Sequence, residues 1–262
     1  PQDIMIIFDI SLSMLAEDIS PNRIEVAKSV VRDFISSRTS DRIGLIIFAG
    51  KPFVSIPFST DYSGIKNVVS WLSPYLIRQD LPGLSWTNIW DAILLANMNH
   101  SGSKSPEKSV ILLTDGRANV WIDPIIAAQE SEQSHIKIYT IGIGSVHGGD
   151  LFYTDSFKKK IYFYDEKGNK LKADLDEPMM QKITETTQGK YYHADNRVAL
   201  ENIFSEIDKK LPNIIIEKTE IKNIDLTPIF FVLLLVILAI ERAILQYILR
   251  KYKLLRQTNI DE

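Results

Sequence analysis

Short apolar runs alternate with segments of helical periodicity along most of the chain, and this alternation limits the possible folds more than any other feature. Ile4–Phe8 is a continuous apolar run, as expected of a strand that is buried on both faces. The segment Arg23–Ser36 then repeats apolar residues at spacings of three and four, which predicts an amphipathic helix. Because parallel strands need such crossover helices, the pattern predicts an α/β domain with a mostly parallel sheet and helices on both faces.

The same criteria predict the remaining elements. The further strands are Ile43–Phe48, Phe53–Pro57, Ser109–Thr114, Ile136–Ile141 and Tyr191–His193. The further helices are Tyr62–Leu72, Asn88–Asn99, Asp123–Gln133, Glu177–Thr186 and Val198–Lys210. One stretch, residues 158–174, departs from the alternation, because aromatic residues alternate on both sides of a Lys-Gly-Asn turn. This stretch predicts a small inserted β-hairpin within a domain that spans residues 1–211.

Composition restricts the class of protein. A chain of 262 residues can bury one good-sized core with room for a small appendage. The net charge of −3 argues against a nucleic-acid partner, which would need a basic surface. The absence of cysteine excludes disulfides, thiolate zinc sites and cysteine nucleophiles, but it is compatible with any redox compartment. Because the first strand begins almost at residue 1, which is proline, we expect a further segment upstream.

Several side chains with oxygen donors are predicted to meet at one edge of the sheet. In an open parallel α/β sheet, ligands bind beyond the carboxyl ends of the strands. Two predicted strands end in an aspartate at this edge, hydroxyl residues follow the first of them, and a threonine precedes a helix. These residues are Asp9, Ser11, Ser13, Thr87 and Asp115. The set contains neither histidine nor sulfur, so it suits a hard divalent cation, with Mg²⁺ preferred because it keeps several waters.

The charge of this set also predicts a kind of partner. Only Asp9 and Asp115 are anionic, and the other three donors are neutral hydroxyls. A divalent ion that is held mainly by neutral oxygens stays electron-poor and keeps a position open for an anionic oxygen from outside. We therefore expect an Asp or Glu carboxylate of a partner protein to complete the coordination.

The pieces Asp9-x-Ser11-x-Ser13, Thr87 and the turn Thr114-Asp115-Gly116 resemble the metal-ion-dependent adhesion site (MIDAS) of the von Willebrand factor type A (VWA) domain, over about Asp3–Leu211. The stretches "PNRIEVAKSVVRDFISSRTSDRIGLIIFAG" and "IKIYTIGIG" resemble, more narrowly, bacterial aerotolerance (Bat-type) membrane proteins.

The resemblance implies a Rossmann-like, doubly wound fold and a bound Mg²⁺, with Mn²⁺ as the alternative. It implies that the two serines bind the ion directly, and that the threonine and the aspartates bind it directly or through water. It also implies an anchor in the bacterial inner membrane, with the VWA domain in the periplasm and protein partners in the same complex.

Three positions depart from the pattern of the family. Leu12 stands between the two serines where relatives often have glycine, and Trp86 stands before the threonine where glycine is also frequent. Arg117 replaces the usual acidic or amide residue after Asp-Gly, where it could contact an acidic partner. None of these changes removes a ligand, but they leave the shape of the loops and the metal affinity open.

A membrane span is predicted after the domain. Leu226–Ile240 has no charge and no polar face, but as a helix it would cover only about 22 Å. Extension to Leu249 gives about 36 Å, enough to cross a bilayer. We therefore expect a linker at 212–225, a transmembrane helix at 226–249 and a basic tail at 250–262. The basic residues of this tail place it in the cytoplasm and the domain outside it.

Two alternatives remain open at this point. A strand that ends in an aspartate beside hydroxyl residues, as at Asp9, is also typical of Mg²⁺-dependent phosphatases. In this chain, however, Ser11 stands where an aspartyl-nucleophile phosphatase has its second carboxylate. A scaffold of a membrane complex that no longer binds metal is the other alternative, because of Leu12 and Trp86. The favoured hypothesis is a non-enzymatic, metal-dependent interaction module.

Overall fold

A computed structural model of the chain describes residues 2–79, 87–115, 123–145 and 147–211, together with 238, 240–242 and 244. Its main sheet has six strands: β1 (Asp3–Asp9), β2 (Arg42–Phe48), β3 (Pro52–Ser59), β4 (Lys108–Thr114), β5 (Ile136–Ile143) and, after four short strands, β10 (Tyr191–Ala194). The strand order is β10-β5-β4-β1-β2-β3. Only β3 runs antiparallel to its neighbour, and it lies at an edge, as its prolines predict.

The described residues also include six α-helices, and their bounds agree closely with those predicted from the apolar periodicity. They are α1 (Arg23–Ser37), α2 (Tyr62–Trp71), α3 (Ile89–Ser101), α4 (Pro124–Gln133), α5 (Glu177–Thr186) and α6 (Arg197–Lys210). Short polar residues determine where several of them begin: the side chain of Asn22 accepts a hydrogen bond from the Glu25 N–H, and that of Asp123 accepts one from the Ile125 N–H. Two short 3₁₀ helices, Leu12–Leu15 and Pro74–Leu76, lie in the connecting loops.

The sheet is covered on both faces, which confirms the predicted layers. Alternate residues of β1 point to opposite sides, as the pleat requires. Ile6 belongs to a buried cluster with residues of α1, α2 and α6, whereas Ile7 belongs to a second cluster with residues of α3, α4 and α5. Because α1 follows β1 on one face and α4 follows the adjacent β4 on the other, a crevice opens at the carboxyl ends of these two strands.

The insert between β5 and α5 is larger than predicted. Two antiparallel ladders build it: β6 (Gly149–Asp150) pairs with β9 (Lys172–Ala173), and β7 (Phe152–Thr154) pairs with β8 (Lys160–Tyr162). A single bridge between Tyr164 and Lys170 flanks the predicted Lys-Gly-Asn turn. The insert therefore runs from Gly149 to Ala173, and its main hairpin turns between β7 and β8. Strands of two or three residues are too short to show a periodicity in the sequence.

The chain divides into two compact units, Pro1–Ile216 and Glu217–Glu262. Residues 238, 240–242 and 244 of the second unit are helical. The rest of the predicted span at 226–249, the linker at 212–225 and the tail at 250–262 lie outside the described residues, so these assignments stay predictions. Within the part of the chain that the structure describes, no helix combines the length and the apolar character that a membrane crossing requires.

Candidate metal site

A cavity of about 320 Å³ opens in the crevice at the carboxyl ends of β1 and β4. Four of the five predicted ligands line it: Ser11, Ser13, Thr87 and Asp115. The fifth, Asp9, is fully buried, and its carboxylate accepts a hydrogen bond from the Ser11 N–H at 2.8 Å. The structure thus brings together residues that are up to 106 positions apart in the sequence. That they bind a metal stays a prediction.

Local backbone geometry explains how the end of β1 presents its donors. The Asp9 carboxylate accepts the N–H two residues further on, which turns the chain as it leaves the strand. The short 3₁₀ helix Leu12–Leu15 follows, in which the Met14 N–H donates to the Ser11 carbonyl. This turn places the hydroxyl oxygens of Ser11 and Ser13 2.8 Å apart, so the two donors face the same cavity.

The surroundings of Asp9 disfavour the ionised form of its carboxyl group. Burial raises the pKa of Asp9 to about 7, and the negative charge of Asp115 contributes to the same increase. Hydrogen bonds from Ser11 and from the Thr114 hydroxyl, whose Oγ1 is 2.6 Å from Asp9 Oδ2, act in the opposite direction without cancelling it. Near neutral pH, the ionised form of Asp9 is therefore poorly compensated by the protein itself.

Thr87 is held in place by the beginning of α3. The side chain of Asn88, the next residue, accepts a hydrogen bond from the Asp91 N–H and so caps the helix. The Asn88 N–H donates to the carbonyl of Ala49, just beyond the end of β2, at 2.9 Å. These contacts anchor the backbone beside Thr87, whose side chain is almost completely buried. Trp86, Gly116 and Arg117 lie outside the described residues.

Arg23, the first residue of α1, is a member of the site that the sequence analysis missed. Its side chain is completely buried, and its Nη1 lies 3.1 Å from Asp115 Oδ2. A cation at the N-terminus of a helix opposes the helix dipole, so this position needs a compensating partner. That conflict is the signal in the sequence from which a special role for Arg23 could have been inferred.

The other contacts of Arg23 tie three further parts of the chain to the site. Its Nε and Nη2 donate to the two carboxylate oxygens of Asp18 at 2.8 and 2.6 Å, and Nη2 also donates to the Ala173 carbonyl at 3.0 Å. Asp18 in turn accepts from the Ser145 N–H at 2.7 Å. Gly144 makes room for the guanidinium, because a Cβ at this position would lie 2.7 Å from Nη2. Asp115 is therefore held by a fixed positive charge.

Gln79 is a second residue of the site that the sequence analysis missed, and no pattern in the sequence indicates its role. Its Oε1 accepts from the Leu12 N–H at 3.1 Å, and its Nε2 donates to the carbonyls of Ile10 and Pro74. These bonds fix the segment that carries the two serines. Leu12, one of the three departures from the family pattern, lines the cavity, and so do Leu151, Phe163 and Leu171 of the insert.

The donors suit a hard divalent ion. All five side chains offer oxygen, the ligand type that Mg²⁺ prefers, and two of them are carboxylates whose charges raise each other's energy. Among the described residues, no three His, Cys, Asp or Glu side chains converge as a metal site. An ion in this cavity would therefore have to use the hydroxyl groups as well as the two carboxylates.

Known proteins resemble this chain along most of its length. The model of the von Willebrand factor type A domain matches residues 3–206. A UPF0353 protein of Mycolicibacterium paratuberculosis is 26% identical over 215 residues, which cover 79% of this chain and 60% of the relative. The chain thus spans about three fifths of the length of this curated relative.

Two solved structures from Bacteroides are 30% identical to the chain, each with a TM-score of 0.69 over 80% of it. One is the conserved hypothetical protein BatB from Bacteroides thetaiotaomicron, of which 98% is covered, and the other is an aerotolerance-related membrane protein from Bacteroides fragilis, covered completely. Proximal thread matrix protein 1 of the mussel byssus, described with a zinc-occupied MIDAS motif, shares only the fold: it is 17% identical, with a TM-score of 0.54 over 78% of this chain and 46% of its own. The chain belongs to the von Willebrand factor type A domain family and is similar to the Bat-type membrane proteins.

Proposed function

We propose that this chain is a membrane-anchored, non-enzymatic interaction module that binds a protein partner through a divalent ion. Asp9, Ser11, Ser13, Thr87 and Asp115 hold Mg²⁺, with Mn²⁺ as the alternative, and an Asp or Glu carboxylate of the partner completes the coordination. The observation that carries this proposal is the shared cavity: four of these oxygen donors line it, and the fifth is a buried, poorly compensated carboxylate beside it.

The charges around the cavity support a site that depends on a partner. Arg23 already neutralises much of the charge of Asp115, so a divalent ion would meet one poorly compensated carboxylate, Asp9, and neutral hydroxyls. Such an ion would retain a strong attraction for another anionic oxygen. Domains of this family mediate protein–protein interactions and can bind a divalent metal at the corresponding motif.

Two observations support the proposed location in the bacterial inner membrane, with the domain in the periplasm. One of the similar proteins from Bacteroides is described as a membrane protein. The apolar segment Leu226–Ile240 and the basic residues after it supply the anchor and its orientation.

Calorimetric titration tests the metal site. The purified domain is titrated with Mg²⁺ and with Mn²⁺, and saturable heat is expected for the wild type. Asp9→Ala should weaken binding by more than about 100-fold, since even residues that only orient a metal ligand account for 10- to 100-fold. Asp33→Ala, which removes an exposed carboxylate on α1, is the matched control and should bind like the wild type. No saturable heat in the wild type would contradict the metal site and favour the non-metal scaffold.

Partner capture tests the metal bridge. Full-length protein is crosslinked in native membranes, with Mg²⁺ or with chelator, and the captured proteins are identified by mass spectrometry. Capture should require Mg²⁺, fail for Asp9→Ala and persist for Asp33→Ala. Partners that are retained both in chelator and by Asp9→Ala would show that the interaction does not use the ion.

A further inference from the structure

A second cavity, of about 550 Å³, lies next to the candidate metal site. Most of its walls come from two parts of the chain: the stretch 74–79, which includes Tyr75 and Ile77, and the insert with Tyr153 and Phe163. Leu12, between the two serines, completes it. The lining is mainly apolar and aromatic, which is typical of pockets that accept a large side chain.

The two cavities adjoin each other. Leu12, Gln79 and Phe163 line both of them. Leu12 stands between the proposed ligands Ser11 and Ser13 and lines both cavities. A ligand that reaches the metal site with a carboxylate would therefore have the apolar cavity directly beside it.

The walls of this second cavity are tied together in advance. The Thr154 N–H donates to the Tyr75 hydroxyl at 2.7 Å, which links the insert to the 3₁₀ segment. Gln79 bonds to both Pro74 and Leu12 and so links that segment to the serine loop. The rings of Tyr153 and Phe163 pack with centroids 5.6 Å apart. A preformed pocket loses little conformational freedom on binding, which favours affinity.

We propose that this apolar cavity takes a large apolar side chain, best an aromatic one, from an acidic peptide segment whose carboxylate binds at the neighbouring metal site. This inference rests on the proposed function and specifies its partner. The charge of the cavity supports an acidic rather than a basic segment, because Arg78 is the only charged residue among the described residues that line it. The inserted strands thus build a specificity pocket beside a metal site that itself selects only for a carboxylate.

Paired peptides test the proposal. Acetylated decapeptides in an Ala/Ser/Gly background carry one aspartate and one phenylalanine at separations of one to four residues. Companion peptides replace the phenylalanine by alanine or the aspartate by asparagine. Affinities for the purified domain are measured by fluorescence anisotropy in Mg²⁺ and in chelator. The best Asp/Phe peptide should bind at least about tenfold more tightly than its Asp/Ala companion, as expected of a buried aromatic anchor.

Two variants of the insert locate the effect. Tyr153→Ala should remove most of the advantage of the phenylalanine peptide and leave Mg²⁺ binding by calorimetry unchanged, because Tyr153 lines only the second cavity. Tyr164→Ala is the matched control: this aromatic residue is 57% exposed, belongs to the same insert and lines neither cavity. It should leave the advantage intact. Thermal unfolding of both variants verifies that the domain is folded.

The possible outcomes separate this proposal from the proposed function. Binding that requires Mg²⁺ and aspartate but is indifferent to phenylalanine overturns the apolar pocket and leaves the metal bridge standing. A phenylalanine advantage that survives both chelator and the asparagine companion overturns the metal bridge and the two-part ligand together. Self-association of the wild type that Tyr153→Ala abolishes would also overturn the proposal, because a second copy would then occupy the cavity. So would a failure of every peptide to bind a domain that binds Mg²⁺.

Discussion

The ends of β1 and β4 each place a buried carboxylate at or beside the same cavity, but the groups around the two charges differ. At the end of β1, the donors to Asp9 among the described residues are neutral groups, the Ser11 N–H and the Thr114 hydroxyl. At the end of β4, Asp115 is paired with the guanidinium of Arg23, and both side chains are almost completely buried. Within the part of the chain that the structure describes, one strand end therefore has its own cation, and the other is bonded to neutral groups.

Because of this difference, the two carboxylates of the site have separate roles: Asp115 contributes to stability, and Asp9 is the one available for binding. Arg23 and Asp115 form an ion pair between α1 and the end of β4, and Arg23 also donates to the Ala173 carbonyl of the insert. Asp9 is instead a charge that folding makes unfavourable, as its pKa of about 7 indicates. On the proposed function, an external ion would therefore act mainly at the end of β1, while the end of β4 serves as a fixed support.

Removal of the Arg23 guanidinium should have the largest effect on the free energy of unfolding. Arg23→Met leaves Asp18 and Asp115 buried without their counter-charge, so we expect a loss of about 3–5 kcal/mol in the free energy of unfolding. The measurement is urea denaturation of the domain in chelator at neutral pH.

Arg197→Met is a matched control, because Arg197 is the first residue of α6 just as Arg23 is the first residue of α1. Arg197 is half-exposed and pairs with Glu201 on the surface, so its replacement should cost less than about 1 kcal/mol. Similar losses for the two variants would mean that the buried network at Asp115 contributes no more than a surface ion pair.

The contacts of Arg23 also show which features of this domain its sequence predicts and which it does not. Continuous apolar runs and three-to-four periodicity gave β1 to within a residue at each end and α5 without error, because burial of one face determines both patterns. The partners of Arg23 lie 5, 92 and 150 residues away, and no local pattern connects them. The site residues at strand ends were predictable because parallel strands align their carboxyl ends. The bracing of these residues by Arg23 and Gln79 depends on tertiary contacts alone.

The unfavourable charge at the end of β1 should appear as a pH dependence of stability. The pKa of Asp9 is about 7 in the folded domain, above its ordinary value of 3.8, so folding favours the protonated form. This contribution to stability is fully present below about pH 4 and is lost as the pH rises through 7. At about 1.4 kcal/mol per pKa unit, the loss amounts to ~4 kcal/mol.

Asp9→Asn tests this, because asparagine is neutral at every pH and the Thr114 hydroxyl can accept from its amide. In chelator, the free energy of unfolding of the variant relative to that of the wild type should rise between pH 4 and pH 8 by up to that amount. Mg²⁺ should then stabilise the wild type and not the variant. A difference between the two proteins that is independent of pH would contradict a strained charge at the end of β1.

The smallest effect is expected where the two strand ends touch each other. Thr114, the last residue of β4, donates its hydroxyl to Asp9 at the end of β1, so Thr114→Val should destabilise the ionised form of Asp9. Hydrogen bonds to charged groups contribute about 1.5–3 kcal/mol, and we expect a loss of this size at pH 8 in chelator. The loss should be smaller at pH 5, where Asp9 is mostly protonated.

Thr114→Ser keeps the hydroxyl and loses only a buried methyl, so its cost should be the same at both pH values. If valine and serine show the same pH profile, the contact with Asp9 does not influence the ionisation of that carboxylate, and the two strand ends are electrostatically independent.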